Sequence, residues 1–455
     1  MPKVSIEQLI DKNKKDIIDD YFTFLKYPSI SSEPEYKKEV LACALWLRDY
    51  LKKLRFHVEL WPTEGHPTIF ASNLDAGPEK PTLLIYNHYD VQPVDPIEKW
   101  HSPPFTPTVA KGAVYARGAQ DNKGQCFYVL QALKLLLKRD GALPINVKWC
   151  IDGEEEIGSP GLSTLLPKKH KELRADYLAV IDLGLRNVKV PAVTLGVRGI
   201  VTMDVELTGG TTDLHSGTHG GIAYNPNHAL VELLASLRDS KGRVTVPGFY
   251  DDVSVLSKKD KELLAFDFDA DQFAKDTGAE PLGGEQQFTP LERAWTRPTL
   301  EINGISGGYA GAGFKTVIPA VASAKISCRV VPDQDPEQIG KLVANHLKKA
   351  APKGMKVSVH LHPGAGKAAR ASLKSKIVQA TAEAYEEVFQ KPCEYIFEGG
   401  SIPIAPALAK ASQSEMVLFG LGASSDLIHA PNEHFSIDRI EKGIRIITRL
   451  LELLS

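Results

Sequence analysis

The sequence predicts an α/β protein in which a helix-covered sheet is interrupted by a smaller α+β unit. Residues up to about 195 alternate helical and strand patterns, the texture changes near Val197, and the α/β alternation returns after Gly364. The 455-residue chain is longer than one hydrophobic core ordinarily fills and suits two domains. The expected division is a discontinuous domain of residues 1–196 and 365–455, with residues 197–364 inserted.

The elements follow in order. Residues 5–26 read as a helix. A second helix is expected from Ser32, where Glu35 three residues on offers a capping box and Pro34 suits the first turn. Val40, Leu41, Ala44, Leu47, Leu51 and Leu54 then recur at helical spacing. The apolar run Thr82 to Asn87 (TLLIYN) predicts a buried strand, a Pro-rich loop covers Val91 to Pro107, and a helix is expected from about Asn122 to Lys138. Strands at Asn146–Ile151 and Tyr177–Ile181 flank a further helix.

In the insert, Gly199 to Thr208 (GIVTMDVELT) alternates like a half-exposed strand. A helix at 227–239, strands at 299–305 and 324–332, a helix at 336–351 and a strand at 356–362 give a β, α, β, β, α, β order, as in ferredoxin-like units. The polar segment 248–298 carries no clear periodicity. Beyond Gly364 the pattern predicts helices at 371–389, 403–410 and 438–454 and strands at 393–397 and 415–420.

Composition narrows the function classes. A formal net charge of -2 gives no basic footprint for nucleic acid. Five widely spaced cysteines (Cys43, Cys126, Cys150, Cys328, Cys393) contain no CxxC pair and fit a reducing compartment. The amino terminus has no apolar signal core, and no run of 18 apolar residues occurs. A soluble cytoplasmic protein without membrane partners is expected.

Chemistry-bearing residues stand after apolar segments in the order His88, Asp121, Glu155/Glu156, Asp182, His429. Ligands of open α/β sheets gather beyond the carboxyl ends of strands, so these positions can converge on one crevice and suggest a two-metal hydrolase. His88 and Asp90 lie two apart at a strand end, so Asp90 can orient the imidazole. Asp121 immediately precedes a helix, where aspartate is also a favoured N-cap, but glycines on both sides suit an unusual backbone path. The run Asp152-Gly153-Glu154-Glu155-Glu156 masses carboxylates that repel one another unless cations stand nearby. Two of its glutamates can serve one site only where the strand has ended. His434 competes with His429 as a ligand, and spacing does not separate them.

Taken together, His88-Tyr89-Asp90, Gly118 to Gly124 around Asp121, Glu155-Glu156-Ile157-Gly158-Ser159, Asp182, Asp213-Leu214-His215-Ser216-Gly217, Lys315 to Pro319 and His429 resemble the M20 metallopeptidases. The likeness is greatest to the cytosolic nonspecific dipeptidase and carnosinase branch and spans nearly the whole chain. It implies a zinc-peptidase catalytic domain, with helices packed on a mixed sheet, and an inserted lid and dimerisation domain. It further implies two divalent ions, most suitably Zn²⁺, although nitrogen and oxygen ligands also admit Mn²⁺ or Co²⁺. Asp121 would bridge them, His88 and Asp182 completing one site and Glu156 and His429 the other, with a cis peptide bond after Asp121.

By the same resemblance Glu155 is the general base, Asp90 orients His88, and His215 serves the partner subunit's active site in a homodimer. Arg329 would bind the substrate carboxylate, with His362, Glu398 and Ser401 in the substrate pocket. Glu154 stands where the family usually has methionine, which makes it a competitor within the triple run. The expected reaction is hydrolysis of dipeptides or short peptides, Asp182 at its ligand position favouring dipeptidases. The alternatives are an N-acyl-amino-acid amidohydrolase of the same family and an inactive relative retained as a binding scaffold.

Overall fold

The computed structural model describes residues 4–455, apart from the side chains of Lys259 and Asp260. The chain forms two compact units, one of residues up to Leu195 with Ala371–Ile396 and Ile404–Ser455, the other of Gly196–Arg370 with Phe397–Pro403.

In the first unit, helix Ile6–Leu25 begins at a complete capping box made by Ser5 and Gln8. The second expected capping box is not formed. Pro34–Tyr36 is a 3₁₀ turn, and helix Lys37–Lys53 starts behind Tyr36 without a side-chain cap. Pro34 lacks the N–H of a helical interior and favours the tighter turn first.

The large sheet runs in the order His57–Trp61, Thr68–Asn73, Asn146–Asp152, Thr82–His88, Tyr177–Ile181, Glu415–Phe419, Ala192–Val197. Its central strands Asn146–Asp152, Thr82–His88, Tyr177–Ile181 and Glu415–Phe419 are mutually parallel, and His88 stands in register with Asp152. Leu83, Leu84, Ile85, Leu178, Ala179 and Val180 are all buried, as expected of strands covered on both faces. Parallel pairing brings the carboxyl ends of the four strands to one edge of the sheet. Each end releases the chain into a loop there, and His88, Glu155, Glu156, Asp182 and His429 stand at those ends or on those loops. Helix Lys123–Asp140, buried along most of its length, and the amphipathic closing helix Ile437–Leu453 supply apolar cover.

The second unit is a four-stranded antiparallel sheet in the order Thr299–Gly307, Val321–Val330, Gly199–Thr208, Lys356–Leu361, with helices Pro226–Ala235 and Pro336–Lys349. This is the β, α, β, β, α, β order expected from the periodicity. Val201, Met203, Val205 and Leu207 alternate inward against Leu230, Leu233, Ile339 and Val343. The segment that lacked periodicity forms short helices Lys258–Leu263, Ala270–Thr277 and Pro290–Thr296, and Arg297 pairs there with buried Glu285 at 2.7 Å. Short helices joined by loops present too few turns for a period of 3.6 to show. Among the described residues no helix is long and apolar enough to cross a membrane.

Candidate metal centre

His88 ends its strand fully buried. Its Nδ1 lies 3.1 Å from the Asp90 carbonyl and 3.3 Å from Asp90 Oδ1. Asp90 is itself fixed, accepting from Ser31 Oγ at 2.6 Å and from the backbone N–H groups of Glu155 and Glu156 at 3.2 and 3.0 Å. The other ring nitrogen, His88 Nε2, is buried without a hydrogen-bond partner. It faces Asp121 Oδ1 at 3.2 Å and Asp182 Oδ1 at 3.4 Å, with Glu155 Oε2 farther off at 4.0 Å.

Asp121 does not cap the helix behind it. The cap position belongs to Asn122, and the Asp121 carboxylate turns instead toward two histidines, with Oδ2 at 2.9 Å from His429 Nε2. The expected cis bond joins Asp121 to Asn122. The flanking glycines are needed: Gly118 has φ +80°, and a Cβ on Gly124 would lie 2.0 Å from the Ala119 carbonyl. The strand before the triple glutamate run ends at Asp152, and a 3₁₀ turn over Glu155–Ile157 frees both of its glutamates to face one site. Glu156 Oε2 stands 3.4 Å from His429 Nε2 and accepts from Gln92 Nε2 at 2.7 Å.

Two groups of prospective ligands result, His88 with Asp121 and Asp182, and Asp121 with Glu156 and His429, the ligand atoms of each lying within 4.8 Å of one another. Asp121 is common to both. The two residues that compete in the sequence lie outside both groups. Glu154 is buried elsewhere, accepting from the N–H groups of His66 at 3.1 Å and Gly161 at 3.0 Å. His434 stacks on Tyr115 with ring centroids 4.7 Å apart and stays out of both groups.

The electrostatics are those of a crowded acidic site. Burial opposes a charge on His88, but Asp182, Asp121 and Asp90 outweigh it and hold its pKa well above the ordinary imidazole value. The hydrogen bond to Asp121 raises that of His429. Burial foremost, and then neighbouring carboxylates, raise Glu155, Glu156 and Asp182, while the two histidines overcome burial and depress Asp121. These groups call for cations. A buried unpartnered imidazole nitrogen amid carboxylate oxygens fits divalent metal with nitrogen and oxygen ligands.

The remaining expected site residues lie in the second unit. Arg329 Nη1 donates to Ser401 Oγ at 2.6 Å. Glu398 Oε1 accepts from the Gly399 N–H at 2.9 Å, and His362 Nε2 lies 3.1 Å from Asp204 Oδ2. His215 is exposed, its Nδ1 accepting from the Gly217 N–H at 3.1 Å and its Nε2 3.4 Å from Thr316 Oγ1.

Sequence reasoning gave no role to several residues that shape the centre. Asn122 Nδ2 donates to Asp182 Oδ1 at 2.5 Å and to the Ile181 carbonyl at 3.0 Å, and its Oδ1 accepts from Asn87 Nδ2 at 2.7 Å. Glu433, fully buried, receives the N–H groups of Gly118, Gln120 and Asp121. Ordinary polar residues in loops carry no periodicity, so only the proximity of Glu433 to His429 could have marked it.

The family model described as Peptidase family M20/M25/M40 matches residues 84–453. Among solved structures, the M20 family metallo-carboxypeptidase Sso-CP2 from Sulfolobus solfataricus superposes with TM-score 0.87 at 36% identity, over 96% of this chain and 99% of that one. Human carnosine dipeptidase 1 gives TM-score 0.82 at 30% identity over the whole of both chains. The Cys-Gly metallodipeptidase dug1 of Schizosaccharomyces pombe is 29% identical across 98% of this chain and 97% of its own length.

Proposed function

This chain belongs to the M20/M25/M40 peptidase family and is a metallopeptidase of that family, and from that premise we propose that it hydrolyses dipeptides or short peptides with a free carboxyl terminus at a centre of two divalent ions. The observation that carries the reading is Asp121 shared between two ligand groups, with Glu155 beside them and in neither. His88, Asp121 and Asp182 would hold one ion, and Asp121, Glu156 and His429 the other. Zinc suits these donors best, and manganese or cobalt is compatible with them. Such ions, when bound, lower the pKa of water toward neutrality and polarise the scissile carbonyl.

Glu155 takes the proton of the attacking water on its carboxylate and delivers it to the leaving amine. Glu155 stands within reach of the centre while belonging to neither ligand group, which leaves its carboxylate free to carry that proton. Asp90 holds the His88 ring and its tautomer through Nδ1. In the insert, read as a lid and dimerisation domain of residues 197–364 against a catalytic domain of 1–196 and 365–455, Arg329 offers a fork for the substrate carboxylate. Ser401, His362 and Glu398 belong to the same pocket, and His215 of one protomer serves the oxyanion in its partner's site. A cytoplasmic setting is supported by cysteines that are all free.

The likeness to Sso-CP2, named a carboxypeptidase, favours a second reading in which longer peptides lose their terminal residue. Both readings place a free carboxylate on Arg329. The test is turnover of dipeptides, longer peptides and N-acetyl amino acids by wild type and Glu155→Ala, with metal content measured in both. Dipeptide cleavage, abolished in the variant while two metals remain, is expected. Exclusive use of N-acetyl amino acids would replace this reading with a deacylase, and metal loss in the variant would make Glu155 a ligand.

A further inference from the structure

The segment 427–433 carries His429 through unfavourable backbone: Leu427, His429 and Asn432 have φ of 58°, 58° and 68°. It is fastened near its two ends, and Asn432 adds to the second fastening, its Oδ1 accepting from the His101 N–H at 2.8 Å and its Nδ2 donating to the Lys99 carbonyl at 2.9 Å. Before it, Asp426 is buried against Arg439, whose Nη1 donates at 2.6 Å. Behind it, Glu433 is fully buried, and its carboxylate is filled by donors from the Asp121 loop. Oε1 accepts from the N–H groups of Gln120 and Asp121, both at 2.9 Å, while Oε2 accepts from the Gly118 N–H at 2.8 Å and from Arg117 Nη1 at 2.9 Å. The Glu433 carbonyl also receives the Ala116 N–H at 3.1 Å. His429 has less support of its own: its side chain is 52% exposed, and its Nε2 meets Asp121 Oδ2 at 2.9 Å and Glu156 Oε2 at 3.4 Å.

We propose that Glu433 is a positioning residue that sets the distance between Asp121 and His429 and so builds the second metal-binding group. The inference rests on the two-metal reading above and extends it to a residue that touches neither ion nor substrate. The first group is held by other means. His88 and Asp182 stand at ends of paired strands, Asp90 supports His88, and the Asn122 amide fixes Asp182. Loss of the Glu433 clamp therefore loosens His429 relative to Asp121, while Asp121 stays joined to Asn122, whose amide holds Asp182, so the three ligands of the first group keep their mutual support. Only a carboxylate can do this, because both of its oxygens meet donors. In glutamine, whichever way the amide turns, its NH₂ faces N–H groups, and one side of the clamp becomes repulsive.

The test is a titration of metal-depleted full-length protein with Zn²⁺ against a chelating dye, and with Co²⁺ followed by absorption, for wild type and Glu433→Gln. Thermal unfolding checks the fold. Wild type is expected to bind two ions. The variant is expected to keep the first with little change and to bind the second at least ~10-fold more weakly, the lower end of the range for losing a group that orients ligands. Should the lone Arg117 charge prevent folding, the double variant Arg117→Met/Glu433→Gln removes both charges and carries the same expectation. Equal weakening of both ions, or two ions bound as in wild type, overturns the role of Glu433. A wild type that binds fewer than two ions overturns the two-metal reading itself, and the inference with it.

Discussion

The two histidines of the centre reach Asp121 by opposite routes. His88 is fully buried at the end of a central strand, with Asp90 on one ring nitrogen and two carboxylates facing the other. His429 is half exposed, on a loop with three residues at positive φ, and depends on fastenings at the loop's ends. One half of the site is thus part of the sheet's core, and the other is attached to it. A rigid half and a tethered half differ in what a substitution costs, because stability is lost only where a side chain is part of the packed interior.

The largest expected effect breaks the rigid half. His88→Ala removes the buried imidazole that faces Asp121 and Asp182 and leaves those carboxylates without their partner, and it should destabilise the metal-free protein by about 3–5 kcal/mol, the scale for breaking a buried pair. It should also abolish the first metal and at least ~10³-fold of activity, the upper scale of losing one electrostatic stabiliser. His429→Ala should lose comparable activity and only the second metal, yet cost about 1 kcal/mol or less in stability, since its side chain is half exposed. Chemical denaturation of the two metal-free variants measures this, and equal costs would erase the contrast.

Metal removal should reveal the pH dependence of both halves. In the metal-free protein Glu155, Glu156, Asp182, His88 and His429 all have raised pKa values. Each contributes stability that is complete below its unfolded value, about 4 for the carboxylates and about 6.5 for the histidines, and that fades as pH rises through the folded value. Depressed Asp121 works in the other direction but is one group against five. Bound cations take the place of those protons, and ligand deprotonation favours metal as pH rises. The gap in Tm between metal-loaded and metal-free protein should therefore widen from about pH 5 to about pH 8. It should correspond to about 2.7 kcal/mol where metal is about 100-fold above its Kd. A gap independent of pH would mean that these carboxylates and imidazoles do not bind the metal.

A smaller effect is expected one step from the ligands. Asp90→Asn keeps the shape but puts an NH₂ where Ser31 Oγ or the N–H groups of Glu155 and Glu156 now donate, and it weakens the partner of His88 Nδ1. Affinity for the first ion should fall by about 10–100-fold, with the second less affected. Zinc titration by dye competition would show it, and an unchanged first site would leave His88 supported by the Asp90 carbonyl alone.

The rigid half was also the legible half. Strands such as Thr82–His88 and Tyr177–Ile181 announce themselves by continuous apolar runs, and a polar residue directly at the end of such a run has few places to be. Parallel pairing then makes convergence a matter of topology. The second unit was readable for the same reason, because Val201 to Leu207 alternate strictly. Where no period exists, reading failed. The Ser32–Glu35 box matched a pattern that Pro34 overrode, and the short helices of 248–298 left no periodic trace. Glu433 and Asn122 act through partners hundreds or tens of residues away, which only the closed fold supplies.

The smallest prediction concerns the pair of histidines that spacing could not separate. His434 sits five residues after His429, yet strand His434–Ser436 turns its ring onto Tyr115, the planes 18° apart. Its Nδ1 lies 3.0 Å from the Asn432 carbonyl. His434→Phe keeps a flat ring for the stack and gives up that one polar contact. The change should cost about 1 kcal/mol or less, the net worth of one hydrogen bond. Metal stoichiometry should remain two, and turnover should stay close to wild type, whereas His429→Phe should lose the second ion. The loop also makes the experiment exacting, because Asn432 lies between the two histidines and has φ of 68°. If His434→Phe nevertheless removed an ion, the His434 Nδ1 contact with the Asn432 carbonyl would be a further fastening of the His429 loop, and the tethered half of the site would extend beyond Glu433 to the strand that follows it.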